Sequence, residues 1–534
     1  MHERPFIFYS VNYVVMSFLE LIGLMKQRAA SQKWPIALFT IGVFMAGIDN
    51  GIISTALTTI YESYGVSPSW GAWAITLYTL GVAISVPVIG KLSDNYGRKR
   101  MFIVEVMLFG AGSLLVALSP NFTMLLISRF IQAIGGGGIF IIGSSYILAT
   151  LPKDKQGKAL GLLGGMHGLS AVIGPNLGAF ILTITGTWQW MFLINIPIAI
   201  VLILFGLLKI HETKADTVAP LDLKGTIYLS FGILAFMFAI TEIDPTAFAN
   251  SLIQPTVAPF LIVGIGLLTI LILHERDLEF NGGDPIISYT LLKKRPFQFT
   301  LLLGLLSGGF LAGIIYIPSY VQHVLDVPAA HAGFWLTPLA LSSGIGSGLG
   351  GYLTDKYGAT RTVMFSGVIG SMGFALFSVW VSEFSSFLVA SILAGIGLGI
   401  LLGAPLNVLA GESAKKERYG SALGALSLVR QIGLTLFPTI FAGLITGGLT
   451  SAQTIVMSYE NEIATYAPIE NKDEESIEQL FHVIKQITDL ELRETLSEMV
   501  TLAIKMGYDY LFITSSALSI LVLLIGIYLR LGKR

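Results

Sequence analysis

The sequence predicts an all-helical integral membrane protein folded as two homologous bundles, and three observations carry that expectation. Of its 534 residues, 54% are hydrophobic and 12% charged, about half the charged fraction of a typical soluble protein. The apolar residues gather into runs long enough to cross a bilayer. A charged loop, GKLSDNYGRKR at 90–100, returns as GYLTDKYGATR at 351–361, matching at Gly90/Gly351, Leu92/Leu353, Asp94/Asp355, Tyr96/Tyr357, Gly97/Gly358 and Arg100/Arg361.

About 20 apolar residues cross roughly 30 Å of hydrocarbon. Fourteen runs qualify, near 36–58, 70–90, 101–119, 122–150, 158–184, 188–208, 222–243, 255–274, 296–320, 331–353, 362–381, 385–410, 420–447 and 508–530. Residues 1–33 carry an apolar stretch interrupted by Asn12 and Glu20, which suits a helix lying in the interface. A true start at Met25 is the other reading. The six charged connections and both termini hold 26 of the 32 Lys and Arg residues, and six of the alternating short loops hold none. The positive-inside rule puts both termini and the repeated loop in the cytoplasm of a cell-membrane protein.

The repeat continues beyond the loop. KQGKALGLL at 155–163 and ERYGSALGAL at 417–426 share Gly-x-Ala-Leu-Gly at an offset of 263 residues, which Pro175 and Pro438 keep. The expected organisation is an extension over 1–33, a six-helix bundle over 34–208, a linker with two extra spans over 209–295, and a second bundle over 296–534. The second bundle includes an outer insert, 448–507, with eleven acidic and four basic residues. Ile477, Leu480, Phe481, Ile484 and Ile487 recur there at helical spacing, so one or two amphipathic helices are expected within 473–505.

Composition excludes several functions. A net charge of −1 gives no global attraction to nucleic acid, and the absence of cysteine removes disulfides and thiol chemistry. The chain has no phosphate-binding loop, no His/Glu metal spacing and no nucleophile elbow, so neither an enzyme, a metal nor a cofactor is expected. Duplicated membrane bundles are the mark of secondary transporters, which take their energy from an ion gradient.

Ionisable groups within spans are costly unless they face a partner or a water-filled cavity. Asp49 in span one and Arg129 in span four are candidates for a proton-coupling pair, or for a fixed structural ion pair. His167 in span five can join a proton relay or simply be hydrogen-bonded. Arg430 in span thirteen either faces the cavity, favouring anionic or headgroup-bearing substrates, or packs against backbone carbonyls. Trp73, Tyr78, Gln132, Asn407 and Gln431 are candidate cavity-lining residues.

Three motifs give the chain a family resemblance. The first is Gly90, Leu92, Asp94, Gly97, Arg98 and Lys99. The second is Arg129, Gln132 and Gly135 to Gly138 in span four. The third is Gly161, Ser170, Gly174, Pro175, Gly178 and Ala179 in span five, followed by Trp188, Trp190, Phe192, Asn195 and Pro197. Over about 34–450 and the last span, the sequence resembles the fourteen-helix drug:proton antiporter branch of the major facilitator superfamily. The third motif departs from the antiporter pattern, with Ser170 and Ala179 standing for glycines. The resemblance implies a major facilitator fold of two six-helix bundles plus two linker helices, acting as a monomer. It implies proton-coupled export of amphipathic, drug-like compounds, driven by a proton gradient, with Gly161, Gly174, Pro175 and Gly178 as the antiporter motif. Gly90, Asp94, Gly97 and Arg98 would form a conformational latch, expected only in the first half because Ala359 replaces the arginine in the second copy. Export of a lipid or glycolipid is the nearest alternative, and a transporter-derived sensor is another.

Overall fold

The computed structural model describes residues 32–214, 220–459, 484, 487 and 489–532, all helix, turn or loop. The expected 1–33 extension lies almost wholly outside them, as do Ile477, Leu480 and Phe481 of the insert. Inside a bilayer every backbone N–H and C=O must be satisfied within its own segment, which makes the apolar runs helical.

The first half contains α1 (Lys33–Ser63), α2 (Pro68–Tyr96), α3 (Arg98–Ala117), α4 (Phe122–Gly137), α5 (Ile139–Thr150), α6 (Lys153–Thr185) and α7 (Asn195–Lys209). Two linker helices follow, α8 (Leu223–Thr241) and α9 (Ala258–Phe280). The second half holds α10 (Arg295–Ile314), α11 (Leu336–Tyr357), α12 (Ala359–Val379), α13 (Phe384–Gly403), α14 (Pro405–Ser413), α15 (Tyr419–Ser458) and α16 (Leu490–Leu531), with shorter helical turns between some of them.

Among the described residues, twelve helical stretches are long and apolar enough to cross a membrane, and α6, bent by 42° between its two parts, makes a thirteenth. The bend lies just before Pro175, which cannot donate to the carbonyl four residues back. The tenth expected span, α11, is helical over 22 residues, but its five glycines and three serines leave it short of that apolarity. Thirteen spans rather than fourteen therefore meet one common criterion. Small residues replace bulk apolar ones in α11 because it is pressed against α6 of the other half and α13 of its own.

Local sequence explains the ends of several helices. Ser67 and Asn121 cap α2 and α4 by accepting from Trp70 N (3.4 Å) and Met124 N (2.9 Å). Gly97 and Gly358, the glycines of the repeated loop, have φ of 108° and 86°, a region that a side chain enters only with strain. That explains why both copies of the loop keep them. The α4/α5 break follows the run of four glycines, and the buried Glu105 accepts there from Gly138 N at 2.9 Å.

Close helix approach is built on small residues. Within the first half, a Cβ on Gly51 would stand 2.8 Å from Gly174 Cα. Between the halves, α2 packs on α15 and α6 on α11. A Cβ on Gly424 would stand 2.9 Å from Pro87 Cα, and one on Gly161 3.0 Å from Gly351 Cα. Ser347 Oγ also donates to the Gly161 carbonyl at 2.9 Å. The α6/α11 contact loosens away from the charged loops, from 3.0 Å at Gly161 to 3.3 Å at Gly165 and 3.8 Å at Gly168. The halves thus meet closely at the charged-loop end, and the α6/α11 pair opens away from it.

The linker helices lie at the periphery. α9 buries only 17% of its apolar window, and α8 and α9 pack mainly on each other, with Phe238 and Phe260 ring centroids 4.6 Å apart.

The insert departs from expectation. No separate amphipathic helix covers 490–505, because α16 runs unbroken through 42 residues into the last span, and α15 runs through 40. At 1.5 Å per residue each is about 60 Å long, twice the hydrocarbon thickness. Gly448 and Gly507 let them touch, a Cβ on Gly448 falling 3.0 Å from Gly507 Cα. Continuity is favoured because the apolar face of the insert then joins that of the span in one stripe.

Candidate functional site

Asp49, Arg129 and Gln132 are completely buried in the first half. Arg129 and Gln132 are three residues apart and so share one face of α4, opposite Asp49 on α1. Arg129 Nη1 donates to Asp49 Oδ2 at 2.5 Å and to Gln132 Oε1 at 2.7 Å, while Gln132 Nε2 donates to Asp49 Oδ1 at 2.8 Å. Asn195 Nδ2, at the start of α7, donates to the same carboxylate oxygen at 3.1 Å. Ser113 Oγ on α3 accepts from Gln132 at 2.8 Å and from Asn195 at 2.9 Å. Arg129 Nε reaches the Ala74 carbonyl at 3.4 Å, and its guanidinium stacks 4.1 Å above the Tyr78 ring. Five elements therefore converge on one neutralised pair, and Arg129 Nη2 alone lacks a partner.

Tyr78 and Gln132, expected along the cavity, belong to this buried network. Trp73 stacks on Phe238 of the linker helix α8, centroids 6.0 Å apart. Asn407 is buried at the start of α14 with its amide nitrogen unpartnered. Gln431 is half-buried beside Arg430. Ser113 carried no signal in the sequence, since an intramembrane serine is common. Asn195 stood in the span-six motif, without an assigned partner.

A second constellation joins the halves. Asp94 pairs with Arg98 (2.7 Å), which also donates to Ser145 Oγ on α5 at 3.0 Å. The Asp94 carboxylate accepts from Gly420 N at 3.0 Å and Ser421 N at 2.9 Å, the first turn of α15 in the other half. The repeat reproduces the arrangement: Asp355 accepts from Gly157 N at 2.6 Å and Lys158 N at 2.9 Å, in the first turns of α6. Asp94 satisfies orphan N–H groups in the first turn of α15, and Asp355 accepts in the second turn of α6, so both carboxylates lie near the positive end of a helix. The expectation of this contact in the first half alone is thereby corrected. The missing arginine at Ala359 does not matter, because Asp355 bonds to backbone. Further charges reinforce the first copy: Lys91 pairs with Asp284, in the linker just after α9, and Arg418 with Glu279 at 2.9 Å and Asp284 at 3.6 Å.

The antiporter-motif positions divide between these contacts. Gly161 seals α6 against α11, whereas Gly174, Pro175 and Gly178 seat α6 on α1 near Gly51, Ile52 and Thr55. His167, between them, is accessible although it lies mid-helix. Phe140 stands 6.1 Å away by ring centroids, and a Cβ on Gly47 would come within 3.5 Å of its Nδ1. Arg430 on α15 donates from Nε to Ser307 Oγ at 3.1 Å, and its Nη2 is buried without a partner.

Duplicated transmembrane halves, latched at one end around buried neutralised charge, define a membrane transporter and not an enzyme. The sequence pattern of the Major Facilitator Superfamily matches residues 39–438, and the chain belongs to that family. It is 55% identical over 499 residues to the uncharacterized MFS-type transporter YfiU of Bacillus subtilis, covering 92% of this chain and 96% of that one. It is 32% identical over 434 residues to multidrug resistance protein 3 of the same organism, covering 79% and 81%. In fold it is similar to the human organic anion transporter MFSD10, with a TM-score of 0.57 at 14% identity, covering 93% and 99%. The multidrug-exporter branch expected from the motifs agrees with these relatives.

Proposed function

We propose that the chain is a proton-coupled antiporter that exports amphipathic, drug-like compounds across the cell membrane, with both termini in the cytoplasm. The observation that carries this reading is the buried Asp49–Arg129 pair, held at 2.5 Å by Gln132 and Asn195 inside one latched half. A carboxylate neutralised by an arginine can trade that partner for a proton when the surrounding helices shift. With the charged-loop end closed by Asp94 and Asp355, a proton arriving from the far side reaches Asp49 and frees Arg129. The change weakens the contacts that α4 makes with α1 and lets the halves rock about the site. Moderate identity to multidrug resistance protein 3 supports the substrate class.

Purified protein in liposomes with an imposed pH gradient is expected to expel an amphipathic fluorescent dye, and Asp49→Asn, compared at equal amounts of folded, reconstituted protein, to abolish that flux. Dye flux indifferent to the gradient would overturn the coupling.

Export of a lipid is the second reading, favoured by one feature. A cavity of about 580 Å³ lies where α16 meets the second half, lined by Val324, Leu325, Val381, Ile484 and Leu502 and rimmed by Arg493, Glu494 and Lys505. An apolar floor with a charged rim suits an acyl chain and headgroup. Gradient-driven movement of labelled lipid, with none of dye, would replace the first reading by this one.

A further inference from the structure

We propose that His167 and Arg430 form an anion site between the two halves, so that the preferred substrates are amphipathic compounds bearing a carboxylate or similar single anionic group. The proposal rests on the transport reading above and names its substrate class. The two residues are counterparts in the repeat. They stand 263 residues apart, the offset that relates Gly157 to Gly420, Gly161 to Gly424 and Pro175 to Pro438. A fold of two related halves therefore brings them to matching depths on α6 and α15, one from each side.

The chemistry is one-sided. The other interior arginine, Arg129, is neutralised by Asp49, but among the described residues no carboxylate lies within ion-pair distance of Arg430. Its only side-chain partner is the neutral Ser307 hydroxyl, and Nη2 is buried with nothing to donate to. A half-buried guanidinium with a donor left unsatisfied is destabilising, and an anionic ligand relieves that on binding. With Nε held by Ser307, the two Nη groups remain as the donors for an anion. The His167 ring makes no hydrogen bond among the described residues, although it is accessible. It can therefore donate to the same anion. Phe140, its ring centroid 6.1 Å from that of His167, offers apolar surface beside the site for the rest of an amphipathic cargo.

Three probes that share the dansyl fluorophore and differ in charge test the proposal: dansylglycine (anionic), dansylamide (neutral) and dansylcadaverine (cationic). Equilibrium binding to the purified full chain, with no gradient, is expected to favour dansylglycine over dansylcadaverine by about tenfold, the factor for roughly 1.4 kcal/mol of charge-assisted bonding. Arg430→Gln should erase the preference, Arg430→Lys keep part of it, and His167→Phe reduce it. Should Arg430→Gln not elute as a single species, Ser307→Ala is read in its place, since it frees the guanidinium from its anchor. Equal affinity for the three probes in the unaltered chain, or a preference that survives undiminished in folded Arg430→Gln or Ser307→Ala protein, overturns the proposal. Anion preference without gradient-driven flux would leave the site standing and remove the antiport reading. Flux without anion preference would do the reverse.

Discussion

Asp49 has three donors on its two oxygens and no exposure, so its charge is tolerated only while Arg129 stays opposite. Asp49→Asn leaves a buried guanidinium unpaired and should cost about 3–5 kcal/mol of stability, measurable as a lowered thermal unfolding midpoint of purified protein. The double variant Asp49→Asn with Arg129→Gln removes both charges and should recover most of that loss. If Asp49 also carries the proton, the double variant stays inactive in gradient-driven flux despite its restored stability. Recovery of flux together with stability would reduce the pair to scaffolding. At this scale the sequence revealed the charged partners, because an aspartate and an arginine inside apolar runs demand an explanation. It did not reveal Ser113 or the role of Asn195, since an intramembrane serine or asparagine is ordinary until a neighbour's geometry gives it a task.

The working elements are the first turns of α6 and α15, each gripped by a carboxylate from the other half's charged loop. Lys158 on α6 lies over the Tyr352 ring on α11, 5.8 Å from its centroid, and the chain has no cysteine of its own. A Lys158→Cys, Tyr352→Cys pair should therefore cross-link readily with a short bifunctional maleimide. Adding Asp355→Asn removes the charge from one grip and should slow cross-linking by about fivefold, the factor for roughly 1 kcal/mol. Asp94→Asn, acting on the opposite side of the same closed end, should slow it comparably. An unchanged rate in both would mean that the glycine contacts alone hold the halves together. The repeat in the sequence announced Asp355, but the degraded copy without its arginine concealed that the carboxylate keeps a partner in the backbone.

For the whole molecule, the segregation of Lys and Arg sets an orientation. Thr187 follows α6 at the end away from the charged loops, and Asp154 lies at its start among them, both exposed. On the proposed orientation, with both termini cytoplasmic, Thr187→Cys in intact cells should react with a membrane-impermeant maleimide, while Asp154→Cys should react only after lysis. The opposite pattern would reverse the direction of transport. The halves meet at the Asp154 end and part toward the Thr187 end, so the same experiment assigns the open side.

Apolar periodicity, charge segregation and an 11-residue repeat by themselves determined a helical membrane protein of two related halves, because burial in lipid leaves the backbone no other solution. They also marked Asp49, Arg129, His167 and Arg430, because each is an ionisable group where hydrocarbon penalises charge. Tertiary structure alone decided which of these are paired. Arg129 met a carboxylate from another helix, and Arg430 met only a serine. It also decided that α11 spends its apolarity on close packing, and that α15 and α16 run past the bilayer as continuous rods. Spacing along a chain fixes a residue's depth and face, but the partner across a helix interface depends on how neighbouring helices pack.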